Sequence, residues 1–295
     1  MPNARQQGFT LIEMSIVLVI IGLIVGGVLV GQSLINAAAV RAQISQIEKF
    51  NTAVNTFWGK YGYLPGDIKD PDASSFGFQA RGLNPGQGDG NSVIEGTDGT
   101  PTGHSGGREG AGETVMFWVD LSTAGLIDGS FNAASPTVPA ALLTTSSSPA
   151  LSAFFPPGKV GQGNYVYIWS GGISGSSSSA NDSLNYFGLS SITQWSSAGG
   201  LAANPGLTVQ QAYSIDTKID DGLPQSGRAM ATYYLGSPRW ADAPYNGGQS
   251  APGNAIAPAS ASCYDNGNNA ANPMQYSIAQ SNGSGVNCAL SFRFQ

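Results

Sequence analysis

An uncharged and strongly apolar stretch, from Met14 to Val40, limits most strongly what this chain can fold into. One acid, Glu13, lies directly before it, and no basic residue follows until Arg41. The apolar part from Phe9 to Val30 predicts a helix of roughly 33 Å at about 1.5 Å per residue, which is enough to cross the hydrocarbon core of a bilayer. We therefore predict a transmembrane helix near the N-terminus.

The same helix is predicted to continue as an amphipathic helix beyond the membrane segment. Its apolar positions recur at steps of three and four residues, which is the helical period. These positions are Val40, Ile44, Ile47, Phe50 or Asn51, Val54 and Phe57. No proline occurs between Phe9 and Trp58, and Gly59 and Gly62 supply a stop signal. We predict one helix of about 50 residues, apolar all round in its first half and striped in its second.

A short polar leader, Met1 to Gln7, precedes this helix. A secretory signal peptide is cut after its apolar region, next to small residues. Here the Gly8-Phe9 junction comes before the apolar region, so a cut there leaves that region in the mature protein. Glu13 then lies inside a bilayer, where a carboxylate needs a proton or a partner. The alternative is that Glu13 lies at the level of the headgroups and is solvated.

The string Gly8-Phe9-Thr10-Leu11-Ile12-Glu13, followed directly by the apolar run, closely resembles the leader of type IV prepilins and type II secretion pseudopilins. The resemblance implies that a prepilin peptidase/methyltransferase cuts between Gly8 and Phe9 and methylates the new amine of Phe9. It also implies that Glu13 pairs with the N-terminal amine of a neighbouring subunit. Two opposite charges that are costly alone are tolerated when they are joined in a medium of low dielectric.

Two pairs of glycines in the apolar region, Gly22 with Gly26 and Gly27 with Gly31, have the Gly-x-x-x-Gly spacing that lets membrane helices approach closely. We predict that they contribute to helix packing between identical or related subunits. Many type IV pilins have a proline in this part of the helix, where this chain has glycines and Val30. Glycine permits local unwinding here without requiring it.

The resemblance and the order of elements predict four segments and an α+β fold. The segments are a cleaved leader (1–8), the transmembrane and assembly half of the helix (9–30), its amphipathic half (31–59) and an extracytoplasmic head (60–295). In the head, residues 69–112 are predicted to be loop. Two helices and three strands are predicted there, at Glu113–Ala124, Thr208–Ile219, Tyr165–Trp169, Arg228–Leu235 and Ala289–Phe294. We expect a small antiparallel sheet packed on the second half of the long helix.

Composition favours an extracytoplasmic protein over a cytosolic enzyme, because only 10% of the residues are charged and 41 are glycine. The formal charge of −6 and the scattered basic residues argue against nucleic acid as the main partner. The two cysteines, Cys263 and Cys288, would close a loop of about 25 residues in an oxidising compartment. Two unrelated free thiols are the alternative, and a C-terminal disulfide loop is also what the resemblance to type IV pilins implies.

Two groups of acidic residues are weighed as metal sites. Asp89, Asn91, Glu95 and Asp98 make an oxygen-rich loop of the kind that binds calcium, and some pseudopilins do bind calcium. The EF-hand pattern is absent, so a solvated turn is the default interpretation and Asp89, Asn91 and Asp98 are weak candidates. Asp216, Asp220 and Asp221 form the second group, for which we favour a role at a helix end and in a turn.

Two other patterns are tested for function. Gly103-His104-Ser105-Gly106-Gly107 fits the Gly-x-Ser-x-Gly pattern of hydrolases, but the sole histidine is adjacent to the serine and poorly placed as its base. No catalytic residue is therefore predicted. The aromatic residues are expected to fill a core rather than to form an adhesive surface. These are Tyr165, Tyr167, Trp169, Tyr233, Tyr234 and Trp240.

The sequence thus predicts a non-enzymatic structural subunit of a type IV pilus or of a type II secretion pseudopilus. Such a subunit is held in the inner membrane by a single span before assembly, in contact with lipid. After assembly it is part of a cell-surface filament or a periplasmic pseudopilus. The alternative is a single-pass, membrane-anchored ligand-binding protein that does not polymerise, which gives no reason for the Gly8-Phe9 junction or for Glu13. The loop-rich head favours a minor or specialised subunit.

Overall fold

The structure is a computed structural model that describes residues 10–97, 99, 110–139, 151–171, 184–195, 200–231 and 255–294. The chain divides into two units, Met1–Ala39 and Val40–Gln295. The division falls inside the first helix, α1 (Leu11–Tyr61). We refer below to the N-terminal half of α1, Leu11–Ala39, and to its C-terminal half, Val40–Tyr61.

In the part of the chain that the structure describes, no side chain of the N-terminal half of α1 is buried. Its most apolar window of 18 residues has a mean hydropathy of 2.8 and is 0% buried. Length and composition are therefore sufficient for this helix to cross a membrane, as the uncharged stretch predicts. The helix begins at Leu11, and the predicted first residue, Phe9, lies outside the described residues.

The C-terminal half of α1 has the predicted apolar stripe. Its eight buried side chains are Val40, Gln43, Gln46, Ile47, Phe50, Ala53, Val54 and Phe57. The helix ends at Tyr61 because Gly62 adopts a left-handed conformation with φ of 74°, and the Gly62 N–H donates to the Trp58 carbonyl oxygen at 2.8 Å. Gly59, the other predicted stop residue, lies inside the helix.

Two buried glutamines join α1 to a distant loop. The Gln43 Oε1 accepts hydrogen bonds from the backbone N–H groups of Lys159 (2.7 Å) and Val160 (3.3 Å). The Gln43 Nε2 donates to the Gln46 Oε1, and the Gln46 Nε2 donates to the Pro157 carbonyl oxygen. A glutamine in a helical stripe can enter a core only when its amide is satisfied in this way.

The main sheet is antiparallel and has five strands, in the order β1-β2-β9-β5 with β3 also paired to β2. The strands are β1 (Asn164–Ser170), β2 (Asn185–Trp195), β3 (Leu201–Asn204), β5 (Ala229–Met230) and β9 (Leu290–Arg293). Two pairs of short strands lie outside it: β4 (Leu207–Thr208) with β8 (Val286–Cys288), and β6 (Tyr264–Asp265) with β7 (Gln275–Tyr276). The predicted strands correspond to β1, β5 and β9, although β5 is much shorter than predicted and residues 232–235 lie outside the described residues.

The longest strand, β2, is not among the predicted strands. It pairs with β1 on one side and with β9 and β3 on the other, so it is the centre of the sheet. Glycine weakens the interior of a strand, so Gly188 argues against a strand when the sequence is considered alone. It is nevertheless needed here, because a Cβ at this position would lie 2.3 Å from the Tyr167 ring. Neighbouring Tyr186 and Phe187 face opposite sides and both are buried, so the alternation of a half-exposed strand is missing.

The described residues of the second unit contain three shorter α-helices: α2 (Asp72–Ser75), α3 (Glu113–Thr123) and α4 (Val209–Ile219). The helices α3 and α4 are predicted closely, whereas α2 lies in the segment 69–112 that is predicted as loop. The N-terminus of α4 has a capping box in which Thr208 and Gln211 bond reciprocally. Together these elements confirm the predicted α+β fold, with a long N-terminal helix and small antiparallel sheets.

Aromatic rings dominate the core between α1, α3 and the sheet. Phe50 of α1 lies 4.9 Å from Trp118 of α3, measured between ring centroids, and Phe187 of β2 lies 4.4 Å from Phe294. Trp118 is completely buried. Such ring pairs contribute about 0.5–1.5 kcal/mol each beyond the area that they bury. The apolar stripe of α1 is thus positioned by α3, whose residues from Glu113 to Leu121 are all buried.

A buried ion pair supports α3. Asp120 accepts from the Arg81 Nη2 at 2.5 Å and from the Gly66 N–H at 2.6 Å, and both charged side chains have 0% exposure. Gly66 is required by this packing, because a Cβ there would lie 2.4 Å from the Glu113 carbonyl oxygen. The predicted turn after α1 is therefore tied to α3 through Asp120.

Candidate functional site

The N-terminus of α1 contains the candidate assembly residue Glu13. The Glu13 Oε2 accepts hydrogen bonds from the Thr10 N–H and from the Thr10 Oγ1, both at 2.8 Å. The Glu13 N–H donates to the Thr10 Oγ1 at 3.3 Å. Thr10 and Glu13 therefore form a capping box at the first turn of α1. The Thr-x-x-Glu spacing is the sequence signature of a capping box, although the sequence analysis above does not predict one here. Gly8 and Phe9 lie outside the described residues.

Within the described residues, the glycines of the N-terminal half of α1 pack against no other part of the chain. A Cβ added to Gly22, Gly26, Gly27 or Gly31 would meet no atom within 4 Å. Each glycine inside a helix costs about 1 kcal/mol relative to alanine. The described part of the chain contains no contact that offsets this cost, which leaves the approach of another helix as their predicted use.

Large apolar side chains surround these glycines and are exposed on every side of the helix. Leu11, Leu18 and Leu23 are each at least 70% exposed, and the exposed series continues to Ile35. In a soluble protein an apolar surface of this extent marks a membrane or a protein interface. The N-terminal half of α1 thus has an apolar surface with one carboxylate, Glu13, close to its start.

The second candidate site is an acidic cluster made by Asp67, Asp89 and Glu113. Each of these residues offers one carboxylate oxygen, and the three atoms all lie within 4.8 Å of one another. Asp67 is in the turn after α1, Asp89 is in the following loop, and Glu113 begins α3. Asp67 is 1% exposed and Glu113 is fully buried. The fold therefore concentrates three acids at one partly enclosed position.

Backbone amides hold the two buried carboxylates in place. Asp67 accepts from the N–H groups of Gly90 and Ser92, both at 2.7 Å. Glu113 accepts from the N–H groups of Gly88 (2.9 Å) and Glu95 (2.8 Å). The loop 88–95 is thus folded around these side chains, and the single salt bridge of the described residues, Arg81–Asp120, lies outside the cluster.

Burial changes the protonation of the cluster. Burial, opposed by the hydrogen bonds from Ser92 and Gly90 and reinforced by the charge of Asp89, raises the pKa of Asp67 from 3.8 to about 7. Burial, and then the charge of Asp67, raises the pKa of Glu113 well above its ordinary value of 4.5. Three adjacent negative charges are therefore unfavourable unless a proton or a cation neutralises them.

The donor set of the acidic cluster suits calcium. Ca²⁺ prefers carboxylate oxygens at about 2.3–2.6 Å, so ligands on opposite sides of one ion lie about 4.6–5.2 Å apart. The three oxygens all lie within 4.8 Å of one another, which is compatible with one ion between them.

Of the predicted calcium ligands that the structure describes, Asp89 alone belongs to the cluster. Asn91 instead donates through its N–H and its side-chain amide to Asp89, and its Oδ1 accepts from the Val93 N–H. Asp98 lies outside the described residues. Asp67 and Glu113 are 46 residues apart in the chain. Only the tertiary structure, in which the turn after α1 lies next to the start of α3, shows that their carboxylates are close together.

A comparison with known protein families identifies the N-terminal segment. Residues 3–29 match the family model of the prokaryotic N-terminal methylation motif. The chain carries a prepilin-type segment. This segment includes Gly8, Phe9 and Glu13, together with all the paired glycines except Gly31. No curated protein and no solved structure is significantly similar to the chain.

The prepilin-type segment supports a precursor that is similar to type IV pilins and pseudopilins, and it indicates a structural subunit rather than an enzyme. It fits membrane anchoring through the apolar N-terminal half of α1. The hydrolase-like pattern around His104 and Ser105 lies outside the described residues, as do Tyr233, Tyr234 and Trp240. Tyr167 and Trp169 are buried, as expected of core residues, and Tyr165 is half-buried.

The structure has the disulfide between Cys263 and Cys288, with a Cα–Cα distance of 5.1 Å. Cys288 ends β8, which pairs with β4 directly before α4, and Cys263 lies next to β6. The disulfide therefore joins the β6–β7 hairpin to the strand pair at the start of α4.

The second acidic group has the structural role that we favour. Asp216 accepts from the Tyr276 Oη at 2.7 Å and from the Gly222 N–H at 3.1 Å. Asp221 accepts from the Leu223 N–H and from the Ser226 Oγ, and Asp220 accepts from the Arg228 N–H. These bonds close the turn after α4 and connect α4 to β7. Burial raises the pKa of Asp216 from 3.8 to about 6.

Proposed function

We propose that this chain is a prepilin, a structural subunit of a type IV pilus or of a type II secretion pseudopilus. A prepilin peptidase cuts it between Gly8 and Phe9 and methylates the Phe9 amine, and α1 drives assembly. One observation carries the proposal: the methylation motif at residues 3–29 coincides with a helix that is apolar on every side and unburied.

The exposed apolar side chains of α1 provide the driving force. Each large apolar side chain that leaves water gains about 1.5–3 kcal/mol, so the N-terminal half of α1 is unstable in an aqueous medium. Lipid covers it before assembly. In the filament the helices of identical or related subunits replace the lipid, and the glycine pairs permit their close approach.

Glu13 supplies the specificity of this exchange. Within hydrocarbon its carboxylate must be neutralised, and the methylated amine of a neighbouring Phe9 carries the complementary charge. A subunit in the correct register satisfies both charges, whereas a shifted one leaves two unpaired charges in an apolar medium. The pairing therefore selects the axial position of each new subunit.

Mass spectrometry of the mature N-terminus tests the processing step. The protein purified from native membranes should begin at methylated Phe9, and a Gly8→Val variant should retain Met1 because the bulkier side chain blocks the peptidase. A matched Gly27→Val variant, with the same change inside the helix, should still be cut. An unprocessed wild-type protein would contradict the proposal and support a permanently anchored protein.

The type of filament is a finer part of the proposal. The second unit spans 256 residues, Val40–Gln295, and its described part contains long irregular segments, which favours a minor or specialised subunit. The C-terminal disulfide favours a pilus. Immunogold labelling of intact cells distinguishes the possibilities, because a specialised pilus subunit should give sparse labels on surface filaments and a pseudopilin should give none.

The acidic cluster is proposed as a calcium site of the second unit. Asp67, Asp89 and Glu113 would supply carboxylate ligands, and the ion would neutralise charges that burial makes unfavourable. A bound ion would tie the turn after α1 to the start of α3. Titration of the detergent-solubilised chain with CaCl₂ in a calorimeter should detect one site, which Asp89→Asn should weaken and Asp128→Asn should leave unchanged.

A further inference from the structure

The N-terminal half of α1 contains two carboxamide side chains, Gln32 and Asn36, and both are exposed. They differ from the other polar side chains of this half. The hydroxyl groups of Ser15 and Ser33 each donate to the carbonyl oxygen three residues earlier at 2.8 Å, and Glu13 is held in its capping box. Among the described residues, no hydrogen bond reaches either carboxamide.

Gln32 and Asn36 lie on one face of α1, because residues four apart are neighbours on a helix. Asn36 is seven residues before Gln43, and Gln32 is fourteen before Gln46. Since seven residues make about two turns, all four carboxamides lie on the same side of α1. The loop 157–160 satisfies the buried pair, Gln43 and Gln46. The described residues supply no such partner to the exposed pair.

The surroundings of the exposed pair change when the proposed filament assembles. Gln32 lies about 32 Å along the helix from Leu11, at about 1.5 Å per residue, and the hydrocarbon core of a bilayer is about 30 Å thick. Both carboxamides therefore reach the level of the headgroups, where water can satisfy them. In a filament other helices replace this water, and a carboxamide that is buried without a partner is unfavourable.

A second copy of the chain can satisfy both side chains. A carboxamide has donor and acceptor atoms, so two carboxamides can bond to each other, whereas lipid tails offer neither. Buried asparagines of coiled coils pair between helices in this way and fix their register. The two hydroxyl groups of the N-terminal half are bonded to their own helix. The carboxamides of a neighbouring copy are therefore the matching partners.

We propose that Gln32 and Asn36 form an interaction surface for α1 of a second copy of this chain, at which the carboxamides of the two copies bond to each other. The inference rests on the proposed function, since the pairing forms when subunits assemble. It adds a polar contact to an otherwise apolar helix surface. Such a contact selects the axial position in which both copies are satisfied.

Cross-linking of purified filaments tests whether the two copies meet at this surface. The two native cysteines are joined in a disulfide, so engineered cysteines supply the free thiols. After oxidation, the full chain with Gln32→Cys and Asn36→Cys should give covalent dimers on a non-reducing gel, because a disulfide requires Cα atoms within about 7 Å. The control, Leu34→Cys with Ala38→Cys, has the same spacing on the other side of the helix and is also exposed. It should give at least about fivefold less dimer.

A competition experiment tests the hydrogen bonds themselves. The variant Gln32→Leu with Asn36→Leu is co-expressed with the wild-type chain, and mass spectrometry gives the ratio of variant to wild type in filaments, divided by the ratio in the membrane. The ratio should fall about tenfold, because the carboxamides of a wild-type neighbour are left unpaired. Expressed alone, the variant should form filaments within about twofold of wild type, since no carboxamide is then unpaired. Ser33→Ala is the control and should stay within about twofold in both experiments.

Three results would overturn the pairing and leave the proposed function intact. The double leucine variant could match Ser33→Ala in the mixture, it could be as defective alone as in the mixture, or the control cysteine pair could cross-link as well as the pair at positions 32 and 36. A wild-type chain that enters no filament at all would instead contradict the proposed function, and the pairing would fail with it.

Discussion

The two halves of α1 are parts of one uninterrupted helix, yet among the described residues only the C-terminal half has buried side chains. The C-terminal half buries eight side chains against α3, the sheet and the loop at 157–160, whereas the N-terminal half buries none. The difference follows from how the apolar residues are distributed around the helix. One packing partner can cover a single apolar stripe, whereas a helix that is apolar on every side must be surrounded by an apolar medium. One half of the helix therefore belongs to the fold, and we propose that lipid or further subunits cover the other half.

The largest effect is expected for a substitution in the N-terminal half of α1, at Glu13. Glu13→Val should leave folding and membrane insertion intact but reduce filament incorporation by more than about tenfold, because the neighbouring amine loses its counter-charge. Co-purification with sheared filaments measures the effect. Glu48→Gln is the control, since Glu48 is an exposed acid of the C-terminal half. Equal incorporation of the two variants would contradict the pairing.

The disulfide is expected to have the largest effect on the stability of the second unit. Replacing both Cys263 and Cys288 by serine opens a loop of 25 residues, which costs about 3.5 kcal/mol in the chain-entropy model. The Tm of the detergent-solubilised chain should fall by about 10 °C. Thermal unfolding followed by tryptophan fluorescence checks this value. A fall of less than about 2 °C would show that the loop is held without the disulfide.

A third prediction sharpens the comparison by making the same change in both halves of α1. Gln43→Leu removes the acceptor of two backbone N–H groups, at Lys159 and Val160, and should destabilise the chain by about 2–4 kcal/mol. The Tm should fall by about 8 °C. Gln32→Leu, in the exposed N-terminal half, should leave the Tm unchanged. A similar Tm for both variants would mean that Gln43 does not hold the loop.

The smallest effect concerns the acidic cluster and pH. The pKa of Asp67 is raised from 3.8 to about 7 in the folded chain, so its contribution to stability is full below about pH 4 and is lost as the pH rises through 7. The Tm without metal should therefore fall between pH 5 and pH 8. At pH 8, CaCl₂ at 100 times its Kd should raise the Tm by about 5 °C, and the rise should be smaller at pH 5.

A matched pair of variants checks the origin of this pH dependence. Asp67→Asn removes the titrating group, so the Tm should become less dependent on pH and less responsive to calcium. Asp128→Asn removes an acid outside the cluster and should change neither response. A calcium response that survives in Asp67→Asn, Asp89→Asn and Glu113→Gln would place the ion elsewhere.

The sequence by itself determined those features that a local pattern encodes. The uncharged stretch and the stripe from Val40 to Phe57 predicted α1, because helix formation depends on neighbours three and four residues away. The helices α3 and α4 and the strands β1 and β9 were predicted for the same reason. The prepilin-type segment was evident because its signature is a contiguous string, and the disulfide because the chain has only two cysteines.

Only the tertiary structure decided which distant residues meet. The central strand β2 has Gly188 where the Tyr167 ring requires space, so packing rather than propensity makes it a strand. The acidic cluster joins Asp67 to Glu113 across 46 residues, and of its three members the loop pattern predicts Asp89 alone. Contacts of this kind depend on how helices and strands pack, and the spacing of residues close together in the sequence does not predict that packing. In α1 the pattern predicted both halves of the helix, and the fold revealed which half it leaves for other molecules.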